Sequence, residues 1–293
     1  MPTVPQVTRL SLKKILFPTD FSTASRAALP CAQALAEVYG SSILVAHSIA
    51  PRSLHSEVTD HFLGANDQAW RNARRKLDEF VEDPRIAPLP CTTLLDRGDV
   101  AEIIPSLIRE HGIDLVVVGA HGRHGVGKLI LGSEAEKIFR TATCPVLTVG
   151  PKAQRAQSWE LRRILCPLDP AEDPEPVLLY ALSLAEENQA EFIVLQAVPL
   201  VPWQHRPSVE QQCWHAIEGL IPEQAKDWCM PQIVVRWEHP AEAIICEARE
   251  RQADLIVMSV HKSRATSWSS HSPWPVASEV VSRSVCPVLT LRV

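Results

Sequence analysis

Nowhere in the 293 residues do 18 apolar residues run together, which excludes a transmembrane helix of ordinary length. The opening residues, MPTVPQVTRLSLKK, hold no apolar core long enough for a secretory signal, so the expected compartment is the cytoplasm. No C-x-x-C pair occurs among the eight cysteines. Cys31, Cys91, Cys144, Cys166, Cys246 and Cys286 lie in or beside apolar stretches and read as reduced, buried side chains rather than a disulfide framework. Excess basic charge is missing too. A formal net charge of -5 gives no general attraction to nucleic acid or anionic membrane, and neither is expected as a partner.

What is present is enough apolar residue, 46%, to bury a core in each of two domains. Short apolar strands alternate with helical segments. KKILFPT (Lys13 to Thr19) is a strand ending at Asp20; Ser22 caps a helix whose alanine- and leucine-rich interior, Ala24 to Tyr39, stops at Gly40. Ser42 to Ile49 is a second buried strand, and Ser56 to Glu82 reads as an exposed helix. Cys91 to Asp96 is a third strand. Gly98 and Asp99 open the helix Val100 to Glu110, and Cys144 to Val149 is a fifth strand. Such alternation calls for a parallel sheet with right-handed crossovers.

The stretch that carries the fourth strand, DLVVVGAHGRHGVGKLILGSE (Asp114 to Glu134), stands out. An uninterrupted apolar run, Leu115 to Val118, marks a strand buried on both faces. It breaks at Gly119, and Gly132 and Ser133 open an amphipathic segment, Glu134 to Arg140. A glycine loop between a strand and a helix brings backbone N–H groups and the positive end of a helix dipole to one place, which suits a phosphate. Gly122 to Lys128 fits G-x-x-x-x-G-K, but Leu129 replaces the hydroxyl that would hold Mg²⁺ in a Walker loop. The spacing Gly119-x2-Gly122-x9-Gly132-Ser133 is satisfied throughout.

After a polar stretch, 151–161, the first half recurs. RRILCPLD (Arg162 to Asp169) answers KKILFPTD, ADLIVMSVH (Ala253 to His261) answers IDLVVVGAH, and CPVLTL (Cys286 to Leu291) answers CPVLTV. The loop does not recur. Ser259 answers Gly119, Lys262 answers Gly122, and Trp268, Pro273, Trp274 and Pro275 fill a segment whose amides cannot wrap phosphates in the same way.

The glycine spacing, the P-T-D-F-S ending of the first strand, the L-x-x-H ending of the second and the closing C-P-V-L resemble the universal stress protein family in its tandem form. The resemblance implies an α/β fold of two repeated doubly wound domains, each with a five-stranded parallel sheet of order 3-2-1-4-5. It sets one domain at 10–150 with an intact loop, a linker at 151–161, and a second domain at 162–293 with a degenerate loop. It also implies ATP as ligand, with or without Mg²⁺. Asp20 and the backbone around Thr19 and Ser48 would then hold the adenosine, Val118 would line the base pocket, and Gly119, Gly122, Gly132, Ser133 and the Glu134 amide would hold ribose and phosphates. His121 and Lys128 would face the phosphates; a solvated role for either stays open, as does a role for Asp20 as a helix N-terminal acid. The Glu134 side chain must point away from a triphosphate.

Three functions remain open on these residues. One is an ATP-binding stress-response regulator with slow or no hydrolysis. Another is a slow ATPase or nucleotide-dependent enzyme, for which Ser133, Asp20 and His121 are the candidates. Pro18 to Ser22 lacks the S-G-G-x-D-S loop of the ATP pyrophosphatases, so that class is disfavoured. The third is a scaffold whose second domain, with Trp203, Trp214, Trp228 and Trp237, takes an apolar ligand; packing is the expected use of those tryptophans. The fifth strands would be sheet edges, and edges invite pairing. An internal pseudo-dimer through them is therefore expected, and a further homodimer stays open.

Overall fold

The computed structural model describes residues 10–49, 62–120, 133–153, 159–170, 172–198, 202–260 and 275–292. They fall into two compact units, one of 11–147 and one of 159–292 with Leu10 and 148–153. The first half runs β1 (Lys14–Pro18), α1 (Thr23–Ala27), α2 (Leu29–Tyr39), β2 (Ser42–Ile49), α3 (Phe62–Val81), β3 (Cys91–Arg97), α4 (Val100–His111), β4 (Leu115–Gly119), α5 (Ser133–Thr141) and β5 (Val146–Val149). Its strands lie in the order β3-β2-β1-β4-β5, with β1 parallel to both β2 and β4. The second half runs β6 (Arg163–Pro167), α6 (Glu175–Asn188), β7 (Glu191–Ala197), α7 (Arg206–Glu218), β8 (Gln232–Arg236), α8 (Pro240–Glu250), β9 (Leu255–Val260), α9 (Pro275–Arg283) and β10 (Val288–Arg292). Its order, β8-β7-β6-β9-β10, is the same 3-2-1-4-5 arrangement.

The repeat extends to individual bonds. One carboxylate oxygen of Asp114 accepts the backbone N–H groups of Lys13 and Lys14 at 2.8 and 2.9 Å, and Asp254 does the same for Arg162 and Arg163 at 3.0 and 2.9 Å. The Asp ahead of the fourth strand thus occupies donors at the entry of the first, where the ladder has not begun. The central strands are buried on both faces: Ile15, Leu16 and Phe17 in β1 and Val116 and Val117 in β4 are fully enclosed.

Several elements differ from the expected spans. The helix expected over Ala24 to Tyr39 divides at Ala28, because Pro30 has no N–H to give the Arg26 carbonyl; the Ala28 N–H turns to Ser25 instead, at 3.1 Å. Gly40 and Gly112 close α2 and α4 in the left-handed conformation their sequence positions announce. The strand expected from Cys144 starts at Val146, since Pro145 brings no donor to the ladder, and its carbonyl accepts from Val116 at 3.0 Å. The helix expected from Ser56 is seen from Phe62; positions 56–61 lie outside the described residues.

Burial corrects two expectations. Cys31, Cys166 and Cys286 are buried as expected, but Cys91, Cys144 and Cys246 are half-buried. All eight are unpaired, and burial pushes the Cys144 and Cys286 thiols up to about 12, far from the thiolate that reactive chemistry needs. The four tryptophans expected to pack are not fully buried either. Trp203 and Trp214 are 79% and 42% exposed, and Trp228 and Trp237 are half-buried. Trp214 lies on α7, which gives the core Cys213 and Ile217 and leaves most of its surface in solvent.

By contrast α3 anchors the first unit through one stripe, Ala73, Leu77 and Phe80, at the spacing that puts residues on one helical face. Phe80 meets Phe17 at 5.8 Å and Phe21 at 6.0 Å between ring centroids, with the Arg26 guanidinium 4.7 Å from its own ring. Phe80→Ala should therefore cost about 3–5 kcal/mol. Urea unfolding of the full chain should show it as an earlier first transition, with the later one in place.

Candidate functional site

The carboxyl ends of β1, β2, β3 and β4 lie side by side in the first unit, and the winding reverses between β1 and β4. This is the place where doubly wound sheets hold ligands. Thr19, Asp20, Ser48, Val118, Gly119 and Glu134, all expected at the site, are among the described residues there. Ser133 opens α5. His121, Gly122, Lys128 and Gly132 lie outside the described residues.

Thr19 is the most heavily bonded of these. Its N–H donates to the Ala46 carbonyl at 2.8 Å, and its carbonyl lies 2.7 Å from His47 Nδ1. Its hydroxyl accepts from the Phe21 N–H at 3.0 Å and from the Ser25 hydroxyl at 2.8 Å. Of the Thr19 backbone, the second lone pair of the carbonyl is what remains for a base. The bonds on the hydroxyl hold a strained turn: Phe21 has φ +62, a conformation that costs a residue with a Cβ about 1–2 kcal/mol. The Phe21 ring is braced by His47, 4.4 Å away, and by Phe80.

Asp20 is exposed, and one of its oxygens accepts from the Ser22 N–H at 3.0 Å, while Ser22 caps α1 through the Ser25 N–H. Asp20 therefore has a local structural role and keeps a second oxygen that can accept from a hydroxyl. The Ser48 hydroxyl donates to the Gly98 carbonyl at 2.7 Å and ties β2 to the turn before α4. Val118 is buried at the end of β4.

Gly119 has a reason to be glycine that the phosphate reading did not include. A Cβ built there would sit 2.0 Å from the Ala24 carbonyl oxygen and 2.6 Å from its carbon. Backbone cannot give way cheaply at that distance, so the approach of α1 to β4 needs the missing side chain.

The acid at the start of α5 is paired. Lys137 Nζ donates to Asp99 at 2.8 Å and to Glu134 at 3.2 Å, joining α5 to the Asp99 cap of α4. The Lys137 ammonium holds the Asp99 carboxyl below the usual range and is itself held above its own. Lys137, Asp99, His47 and Ser25 are site residues that sequence reasoning missed. A signal existed for two: Asp99 was legible as a cap, and His47 as the end of the L-x-x-H strand. Nothing in a spacing of 38 residues pairs Lys137 with Asp99.

A profile of the universal stress protein family matches residues 11–150 and 160–292. The chain belongs to that family. A universal stress protein of Thermus aquaticus is 33% identical over 143 residues, 47% of this chain and 98% of the relative. Universal stress protein MJ0577 of Methanocaldococcus jannaschii is 23% identical over 155 residues, 48% of this chain and 96% of the relative. Each spans one half, as a tandem arrangement requires. A solved universal stress protein from Archaeoglobus fulgidus matches the fold over 97% of this chain and 99% of its own, with TM-score 0.73 at 19% identity.

The strand registers of the two halves let the second universal stress protein unit be compared position by position. Leu168 takes the place of Thr19 and keeps its backbone bond, donating to Leu195 at 2.8 Å, but the hydroxyl is gone. Gln196 answers His47, Ala197 answers Ser48, His239 answers Asp99 and Met258 answers Val118. Ser259 answers Gly119, and no helix matches α1: α6 begins at Glu175, where the first half is already three residues into α1. Asp169 is the one expected ligand position preserved among these. Gly119→Ala should lower the melting temperature of the nucleotide-free protein by several degrees, because the clash is with protein backbone. Ser259→Ala should leave it unchanged; differential scanning calorimetry compares the two.

Proposed function

We propose that this universal stress protein is a nucleotide-dependent regulatory protein whose first unit holds ATP, with or without Mg²⁺, and hydrolyses it slowly or not at all. The observation that carries the reading is that Thr19, Ser48, Val118 and Gly119 stand at the carboxyl ends of β1, β2 and β4, with Lys137 tying α5 to the Asp99 cap of α4. The helix start offers unpaired N–H groups and a positive dipole end. Its own acid would oppose a triphosphate, and Lys137, shared between Glu134 and Asp99, offsets part of that charge. On this reading Val118 lines the base pocket, Asp20 accepts from the ribose or base, Gly119, Gly122, Gly132, Ser133 and the Glu134 amide hold ribose and phosphates, and His121 and Lys128 face the phosphates.

Slow turnover is the consequence of the same bonds. A phosphoryl-transfer enzyme needs a carboxylate or hydroxyl free to hold Mg²⁺ and a base aimed at the attacking water. Asp99 and Glu134 are engaged with Lys137, and Asp20 gives one of its two oxygens to Ser22 and is proposed to give the other to the ribose or base. The second unit, with Leu168, Ala197 and Ser259 at the matching positions, is proposed to hold no nucleotide in its cleft. Pairing of the fifth strands, a homodimer and a cytoplasmic location remain proposals resting on the sequence; sedimentation of the purified chain tests the dimer.

The experiment is purification without added nucleotide, denaturation, and identification of the released small molecule. The expected result is ATP or ADP from the wild type and none from Gly122→Trp or Gly132→Trp with unchanged circular dichroism. Release of no nucleotide, together with no heat on ATP titration, overturns the reading. Lys137→Gln should weaken ATP binding by about 3–10-fold by uncovering two carboxylates, and the loss should shrink at high salt. Isothermal titration at two ionic strengths measures both.

A further inference from the structure

Both units carry a carboxylate just past the end of their first strand, and they present it on different backbones. In the first unit Asp20 stands between Thr19, whose N–H reaches Ala46 of β2, and Phe21, whose φ of +62 turns the chain left-handed. In the second unit Asp169 follows Leu168, which reaches Leu195 of β7 in the same way, and Pro170 takes the place of Phe21. A proline ring fixes φ at about −65°, so the turn made at Phe21 is closed to that chain. The second unit bends instead at Asp169, whose carbonyl accepts from the Glu172 N–H at 3.1 Å. The same acid at the same strand end therefore leaves by two different paths.

A pair of buried hydroxyls holds the left-handed turn. Thr19 Oγ1 accepts from the Phe21 N–H at 3.0 Å and from Ser25 Oγ at 2.8 Å, and Thr19 and Ser25 are both buried. Water does not compete for bonds enclosed in this way, and breaking them would leave a donor unmade. Ser25 is itself fixed. Its N–H donates to the Ser22 hydroxyl at 3.2 Å, and its Cα belongs to the stretch of α1 that comes close to Gly119. The latch thus runs from the end of β4 through Ser25 and Thr19 to the backbone that carries Asp20. One Asp20 oxygen accepts from the Ser22 N–H at 3.0 Å, and the other has no partner among the described residues.

We propose that Thr19 and Ser25 are positioning residues: their hydroxyl pair holds the turn at Phe21, and the turn aims the second oxygen of Asp20 at the ligand. Their role rests on the ATP reading of the first unit and adds to it what makes Asp20 competent where Asp169 is not. A hydrogen bond weakens steeply away from its preferred distance and angle, so a carboxylate carried on a turn of the other hand misses the same donor. Asp169, with Leu168 behind it and Pro170 ahead, has neither the latch nor the turn.

A double-mutant cycle on the nucleotide-stripped full chain tests the assignment, with ATP affinity read by titration calorimetry below the unfolding temperature of every variant. Thr19→Val keeps the shape of the side chain and removes the acceptor; it should weaken ATP about tenfold, and Thr19→Ser, which restores the hydroxyl, should stay within about twofold of the wild type. In an Asp20→Ala background Thr19→Val should cost less than about twofold more, because the group it positions is gone. Should Thr19→Val fail to fold, Ser25→Ala replaces it in the same cycle, with a loss of about threefold expected. Undiminished binding in Thr19→Val, with ATP bound by the wild type, overturns the positioning role and leaves the ATP reading in place. So does an equal loss with and without Asp20, the mark of a hydroxyl that only stabilises the fold, or a Thr19→Ser variant as weak as Thr19→Val. No binding of ATP by the wild type overturns the ATP reading and the positioning role with it.

Discussion

The first unit is arranged around a missing atom group. The Ala24 carbonyl comes so close to the end of β4 that a side chain at position 119 would have 2.0 Å to occupy. Because Gly119 has none, α1 can settle across the reversal between β1 and β4, and the turn before it can carry Thr19, Asp20 and Phe21 to the same edge as Ser48 and Val118. The strain at Phe21 is held by two donors on the Thr19 hydroxyl and by the rings of His47 and Phe80. In the second unit Ser259 stands at that position, the helix starts later, and Leu168 has no hydroxyl to hold such a turn. The two halves therefore share a strand arrangement and differ in the residues that let a helix approach and hold a turn at the strand ends.

Much of the fold was legible because it is local. Apolar runs, Gly40 and Gly112 as helix stops, Ser22 and Asp99 as caps, and three repeated strings place most elements of both halves; their strand order came from the resemblance to the universal stress proteins. What was not legible depends on contacts across the chain. Gly119 reads the same whether it serves a phosphate or a helix, since both ask for a bare backbone. The Lys137 link to Asp99 joins two helices that sequence spacing does not bring together. Trp214 looks like a core residue in a string of letters, but its helix turns Cys213 and Ile217 inward and leaves Trp214 at the surface.

Charge is handled by different residues at the two carboxyl edges. In the first unit one lysine on α5 is shared by two acids, Asp99 and Glu134, which leaves one negative charge over. In the second unit Glu279 takes the place of Lys137, and Arg283 pairs with it and with Glu242 in a set of its own. Asp99 has become His239, and no cation is left in excess at that cleft among the pairs described. The duplicated fold has kept its ladder and its Asp114 and Asp254 clamps, while the chemistry at the strand ends has diverged.

The central claim is that one unit of this tandem universal stress protein holds nucleotide and the other does not. Equilibrium dialysis of nucleotide-stripped full chain against labelled ATP counts the sites directly. The account predicts saturation at one ATP per chain. Saturation at two would contradict the divergence argued for the second cleft, and no saturable binding would contradict the assignment of the first.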